Sequence, residues 1–455
     1  MKSTILKSFV LSGLLALSAC TTEDLDPTLA QSKSVEGSIT DVSNLYGIIK
    51  GAYSGLTSTG YYGRDYIINN EVRTDNCWSN GNSGRFITQA EFQYNSNSGG
   101  FWDEAYDVIG LANIIIGTDI SELTGSAAYG NHLKGQAYVI RALAHFDLVK
   151  QYGQQNSGGT LGVPYVVEFK GDDLFPSRDT VASNVTNIMA DLQNGFDLMD
   201  DAQFDSTKQF ISKYTAKAIE SRVALYFGNY TAAEAAAQAV VSSGLYSIVP
   251  ANSYVGSWAS RSNANSIFEL AFNNADNRGS NSLAFIYRTT GGGVYGDVRV
   301  TENARDLYAA GDVRGQIIGT EAGFVTNLGK YPSIDNADNV VIIRYEEVIL
   351  NLAEAQFRNG NSAALNTLNL IPTNRGAAAH SAITPAVIWD ERRKELMFEG
   401  HRYDDLMRSG TGVPKIAGSN QNITASLSYP NNLFAWPIPQ AEIDANSNMV
   451  QNDGY

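Results

Sequence analysis

Apolar residues recur at steps of three and four in several separated blocks of the chain, the spacing that gathers them on one stripe of an α-helix. Around 135 to 152, Val139, Ala142, Leu143, Phe146 and Val149 form such a stripe. Around 215 to 228 it is Ala216, Ile219, Val223 and Tyr226, and around 343 to 357 it is Tyr345, Val348, Ile349 and Leu352. Blocks near 41 to 56, 102 to 120, 181 to 200 and 385 to 407 read the same way. Period-two alternation, the mark of a half-buried strand, is scarce. The pattern predicts a mainly α protein.

Two blocks predict helical hairpins of tetratricopeptide type. In 224 to 233 a helix runs into a turn at Gly228, and an alanine-rich helix follows with Ala232 and Ala233. The stretch 355 to 365 repeats that layout around Gly360, with Ala363 and Ala364 after it. Small residues at such crossings let helix backbones approach closely. No constant period of about 34 residues runs through the chain, so hairpins interrupted by insertions fit better than a pure solenoid. The insertions, 57–101 and 246–340, are rich in Gly, Asn, Ser and aromatic residues, as in Ser96 to Gly100 and Gly291 to Gly293. Such composition favours turns and surface loops, and loops on a rigid scaffold commonly carry binding sites.

The first residues follow a different logic. Lys2 and Lys7 precede an apolar run from Phe9 to Leu17, and Leu17-Ser18-Ala19-Cys20 follows. This is the order of a secretory signal, and a run of about nine residues falls short of the ~20 that cross a bilayer. Leu-Ser-Ala-Cys resembles the bacterial lipobox, which implies lipidation of Cys20. Residues 1–19 then form the signal peptide, 20–40 a tether, and 41–455 one large domain. Glu23, Asp24 and Asp26 resemble the acidic tag that directs Bacteroidetes lipoproteins to the outer face. Acylation of Cys20 would leave Cys77 as the only thiol, so core packing replaces any internal disulfide, and Cys77 is expected to be buried.

A formal charge of −15 and a pI near 4.7 disfavour nucleic acid and anionic membrane as partners. They also disfavour strongly anionic polysaccharides unless local basic clusters override the net charge.

The C-terminal third carries a longer signal. Residues 388 to 408 include Glu391-Arg392-Arg393, Glu395-Leu396, Phe398-Glu399-Gly400, Arg402, Asp405-Leu406 and Arg408. Before them lies Arg344 to Ala355, read as R-Y-E-E-V-I-L-N-L-A-E-A, and after them Trp436-Pro437-Ile438-Pro439, Glu442-Ile443 and Gln451 to Tyr455. The N-terminal half adds Trp102, Tyr106 and Asn113, then Gly135 to Ala142, Gly162-Val163-Pro164-Tyr165 and Pro176 to Thr180. In this order, the motifs resemble those of the SusD/RagB family of outer-membrane nutrient-binding lipoproteins. One departure is Pro372 in Ile371 to Gly376, where that family usually carries a basic residue; it bears on where the local helix ends. The resemblance implies a mainly α, SusD-like fold with an irregular loop-rich cap, no cofactor and no catalysis. It implies capture of oligosaccharide or polysaccharide and delivery to a SusC-like TonB-dependent transporter in the outer membrane.

Other chemistries were weighed against the residues. Glu391, Glu395 and Glu399 stand at steps of four, and a glycosidase needs two carboxylates ~5 to 9.5 Å apart. Arg392, Arg393, Lys394 and Arg402 are interleaved, which favours ion pairs over catalysis. His132, His145, His380 and His401 show no metal-ligand spacing, and Asp335 to Asn339 lacks the glycine and distal glutamate of a calcium loop, so turn chemistry is expected there. Sugars lay their CH faces on flat rings and their hydroxyls on amides, carboxylates and guanidiniums. The first insertion offers Tyr61, Tyr62, Arg73, Asp75, Asn76 and Trp78, and the second offers Trp258, Tyr287, Arg288 and Tyr295. The family likeness implies that such residues meet on one face. Two alternatives remain at this point: peptide capture, as in RagB-like relatives, and a glycoside hydrolase built on the glutamate series.

Overall fold

The computed structural model describes residues 39–97, 100–169, 175–289, 295–333 and 335–455. Residues 1–19 and Cys20, with the expected signal and lipidation site, lie outside the described residues. Eleven helices make the scaffold: α1 Val42–Leu56, α2 Asp65–Val72, α3 Trp102–Gly117, α4 Ala127–Tyr152, α5 Val181–Leu198 and α6 Lys213–Tyr226, then α7 Tyr230–Ser242, α8 Tyr345–Arg358, α9 Ala364–Thr373, α10 Pro385–Leu396 and α11 Arg402–Arg408. Most pack on the next in a row, α1 on α3, α3 on α4, α4 on α5, and so on to α8 and α9, with α7 resting on α8. The two expected hairpins are α6–α7, turning at Gly228 with φ +76°, and α8–α9, turning at Gly360 with φ +73°. Both turns use the left-handed conformation that glycine adopts without strain.

Helix α4 departs from the single apolar stripe its sequence predicts, because every residue from Val139 to Tyr152 is buried. Its polar residues are consumed inside: Arg141 forms a two-pronged pair with Asp191 at 2.7 Å, and Asp147 accepts the hydroxyls of Tyr61, Tyr62 and Tyr66. The close crossing with α5 runs through glycine on both sides. A Cβ on Gly135 would sit 2.9 Å from the Gly195 carbonyl, and one on Gly195 would sit 2.9 Å from the Gly135 carbonyl. The end of α4 is held by the terminal motifs. Arg178 and Asn452 both donate to the Tyr152 carbonyl, satisfying an acceptor the helix itself leaves open.

The block expected as one helix over 385 to 407 is two. Phe398 and Gly400, at φ +72° and +82°, break it between α10 and α11. At α9 the helix runs through Pro372 and ends one residue later; proline has no N–H to give the carbonyl four residues back, so it does not carry the helix further.

The inserted regions add three two-stranded antiparallel sheets. They pair β1 Cys77–Ser79 with β3 Val298–Val300, β2 Ser266–Leu270 with β6 Val340–Arg344, and β4 Ile318–Glu321 with β5 Phe324–Asn327. The first insertion is less loop-like than its composition predicts, since α2 within it is almost wholly buried. Cys77 is buried as a free thiol.

Candidate functional site

The β1–β3 sheet sorts its side chains by alternation. Cys77, Ser79, Val298 and Val300 point inward and are buried, which puts Trp78 and Arg299 on the opposite face. These two are direct partners in the register, so their side chains stand side by side. The register is locked by hydrogen bonds just beyond the strands, Asn80 N–H to the Asp297 carbonyl and Thr301 N–H to the Asn76 carbonyl, each 2.9 Å.

One further ring, Phe324, closes on Trp78 from another segment, and a second, Tyr295, precedes the strand that pairs with it. Phe324 stands edge-on to Trp78 at 6.2 Å between centroids, and the Arg299 guanidinium lies 4.9 Å from the Phe324 ring. Phe324 gets there because β4 and β5 are joined by Ala322 and Gly323, at φ +51° and +82°, the double left-handed turn that suits a tight hairpin. Tyr295, just before β3, lies under the Arg85 guanidinium at 4.1 Å and edge-on to Phe285 at 4.6 Å. Trp78 is half-buried, whereas Phe324 and Tyr295 are 44% and 41% exposed. The three rings, with Asn80 and Arg85 beside them, form an aromatic and polar surface platform.

Sequence-predicted residues fall into three groups. Trp78 and Tyr295 reach the platform. Trp258 does not join it: its ring stands edge-on to Tyr254 and lies 4.5 Å from the Lys330 amine and 5.6 Å from the Arg344 guanidinium. It borders a small cleft with Asn263, Asn265, Glu269 and Asn339. The remaining six are inside, which corrects their placement on a loop surface. Tyr61 and Tyr62 stack at 4.5 Å and spend their hydroxyls on Asp147. Arg73 lies between the rings of Tyr403 and Trp436, at 3.7 and 5.0 Å. Asp75 is held by Arg393 and Arg402, Asn76 bridges Glu71 and Arg393, and Tyr287 packs on Phe398 at 5.5 Å. The physical reason is α2 and β1, which draw 61 to 77 into the core, where internal partners take up most of its polar groups. Arg288, also offered by the second insertion, pairs with Glu321 at 2.9 Å.

Phe324, Arg85, Asp297 and Arg299 were missed. Asp297-Val298-Arg299-Val300 does alternate polar and apolar residues, the signal of a strand with one polar face, but over only four positions.

The glutamate series is not one helix face. Glu391 and Glu395 lie on α10, Glu399 beyond its end, and all three are buried or nearly so in ion pairs with other segments. Arg314, Arg344 and Arg375 converge on Glu395, while Arg344 and Lys330 hold Glu399. Burial would raise both carboxyls, but these cations outweigh it, holding Glu395 well below the usual range and Glu399 at about 2. Pairing within one helix is seen in this block at Lys394 with Asp390 on α10 and Arg408 with Asp405 on α11. At 335 to 339 the side chains serve turns, with Asp338 accepting the Ser333 N–H and Asn339 that of Phe272.

A groove of about 740 Å³ lies elsewhere, lined by α3 and by Pro164, Val166, Glu168, Phe169 and Pro176. Its rim carries Asp103, Asp107 and Glu442, and burial together with the neighbouring Asp103 raises the Glu442 pKa. A rim of crowded carboxylates offers sugar hydroxyls acceptors but no donors, which makes the platform the better-matched site.

The helix row with aromatic-bearing inserted strands is a mainly α scaffold of SusD-like type. The chain belongs to the SusD family, whose profile matches residues 206–455, and a profile described as starch-binding associating with outer membrane matches residues 30–225. SusD-like protein P2 of Formosa agariphila is 24% identical over 97% of this chain and 98% of its own. The starch-binding protein SusD of Bacteroides thetaiotaomicron is 32% identical over 130 residues, 28% of this chain and 22% of its own. The crystal structure of a SusD superfamily protein from Bacteroides vulgatus superposes with a TM-score of 0.83 at 27% identity, covering 92% of this chain and all of that one.

Proposed function

We propose that this protein binds oligosaccharide or polysaccharide at the outer membrane, without cleaving it, and passes it to a SusC-like TonB-dependent transporter. The observation that carries this reading is the platform of Trp78, Phe324 and Tyr295, which offers ring faces beside the donors Asn80 and Arg85. Stacking and hydrogen bonding from one surface is what sugar recognition requires. The names of the relatives support it, since one is a starch-binding protein and one profile is described as outer-membrane associated. Anchoring through Cys20 would hold the protein there without a spanning helix, and among the described residues no helix is long and apolar enough to cross a membrane. Hydrolysis fits poorly, because Glu395 and Glu399 are held ionised by arginines and neither keeps the proton a general acid must give.

Affinity electrophoresis against a panel of glycans tests this. Retention without release of reducing ends is expected for at least one glycan. Trp78→Ala should weaken that retention at least tenfold, about 1.4 kcal/mol, and Trp258→Ala should leave it unchanged. Retention that survives Trp78→Ala and Phe324→Ala together, with melting temperatures preserved, would remove the platform from the proposal; released reducing ends would make the protein an enzyme. Co-purification with the neighbouring transporter tests delivery.

A further inference from the structure

The platform rings cover charged groups whose hydrogen-bonding capacity is unspent. Asp297, just before β3, and Arg299 within it stand two residues apart, hence on one face, and are 1% and 3% exposed. Among the described residues, neither oxygen of Asp297 accepts a hydrogen bond, and Nε and Nη1 of Arg299 and Nη1 of Arg85 donate none. The nearest approach within the cluster is Arg85 Nε to Asp297 Oδ2 at 3.7 Å, beyond hydrogen-bond length. Six buried nitrogen or oxygen atoms of charged side chains lack partners among the described residues, and five of them are these. The sixth, on Arg73, lies between two rings. Elsewhere the protein pairs its buried charges closely, as at Glu395, so the deficit at this one surface is local.

The charges in the cluster do not balance. Glu321 is taken by Arg288 at 2.9 Å and by the Thr289 N–H at 2.8 Å, and Asp297 faces Arg85. Among the described residues Arg299 makes no ion pair within 4.0 Å; the Phe324 ring lies 4.9 Å from its guanidinium, and its burial, stronger than the longer-range pull of Glu321 and Asp297, depresses its pKa. A buried cation without a counter-ion is destabilising, and its persistence beside exposed rings marks a place where a ligand supplies the missing partner.

We propose that this platform is built for an acidic sugar: a carboxylate or sulfate of the ligand is held by Arg299 and Arg85, and a sugar hydroxyl donates to Asp297. The inference rests on the glycan-binding reading given above. A bare anion satisfies the arginines but is repelled by Asp297. A neutral sugar satisfies Asp297 but leaves Arg299 without a counter-charge. Only a ligand that carries both an anionic group and hydroxyl donors meets the whole cluster while its ring stacks on Trp78 and Phe324. The local excess of arginine thus overrides a net charge of −15 that would otherwise repel such polymers.

Calorimetric titration of the full chain at physiological salt, where repulsion beyond about 8 Å is screened, decides it. The probes are oligogalacturonate, oligoalginate and sulfated carrageenan oligosaccharides, each beside its carboxyl-reduced or desulfated form, with starch and xylan oligosaccharides and a free peptide. At least one acidic probe should bind ten times more tightly than its neutral counterpart. Arg299→Gln should erase that preference, Arg299→Lys should retain part of it, and Asp297→Asn should weaken acidic and neutral forms alike. Thermal melts check that each variant folds. Which acidic probe wins separates a carboxylate from a sulfate ligand. Equal binding of neutral counterparts, or a preference that survives Arg299→Gln, would overturn the acidic-sugar inference while leaving glycan binding intact. Binding of the peptide alone, with no sugar bound, would overturn both.

Discussion

At the scale of single residues, Glu395 shows why the family signature is dense in charge. Its carboxylate receives Arg314 at 3.3 Å and Arg344 and Arg375 at 2.8 Å each, all essentially excluded from water. Truncating such a residue strands several buried cations at once. We therefore expect Glu395→Ala to cost about 3 to 5 kcal/mol, the range for breaking a buried pair from one side. Chemical denaturation measures it, and a loss below 1 kcal/mol would show that the network contributes no net stability. The sequence made ion pairing legible here, because glutamate and arginine are interleaved. It could not show that the partners come from segments far along the chain, since Arg314, Arg344 and Arg375 carry no local signal of facing α10. The same limit hid Arg299 and Phe324, whose roles depend on a strand pairing and a hairpin rather than on their neighbours.

At the scale of elements, glycine separates two kinds of helix position. Gly47 lies in the exposed face of α1 and a Cβ there meets nothing within 4 Å, so only helix propensity is at stake. Gly47→Ala should stabilise the protein by up to about 1 kcal/mol. At the α4–α5 crossing the same change has the opposite sign. A Cβ on Gly195 would meet Val139 Cγ2 at 2.6 Å and the Gly135 carbonyl at 2.9 Å, and backbone cannot yield as a flexible side chain does. Gly195→Ala should destabilise by about 1 to 3 kcal/mol, as overpacking does. Paired thermal melts compare the two, and a common sign would contradict the packing account. Most helices were legible from periodicity to within a few residues, because an amphipathic stripe is a local property. Helix α4 reads as amphipathic although it is buried all round from Val139 onward, since its inward polar residues, Arg141, Asp147 and Lys150, look like a solvent face until their partners are known. The break at Phe398 and Gly400 was hidden by a charge pattern that continues across it.

At the scale of the whole molecule, buried carboxylates set the response to acid. Burial alone would raise Glu347, Glu399 and Asp405, but the cations beside them, Arg222 at Glu347, Arg344 at Glu399 and Arg392 at Asp405, hold each at about 2. Their ordinary values are 4.5 for the glutamates and 3.8 for the aspartate. A carboxyl with a lower pKa in the folded state stabilises it fully above the ordinary value and loses that contribution as pH falls toward the folded one. Other carboxyls act in the opposite direction, Glu71 and Asp338 most strongly: burial raises Glu71 to about 7 and Asp338 to about 6, so both favour the folded state more as pH falls from 7 to 4.5. Against them, burial lowers His145 to about 3, which withdraws stability as pH falls below 6.5. These opposing contributions overlap between about pH 4.5 and 6.5; below 4.5 the gain at Glu71 is complete, that at Asp338 ends near its ordinary 3.8, and the losses dominate. The melting temperature should therefore be nearly flat from pH 6.5 to 4.5 and fall steeply from 4.5 to 2. A melting temperature that holds constant down to pH 2.5 would mean that the arginine-paired carboxylates are not the source of stability assigned to them.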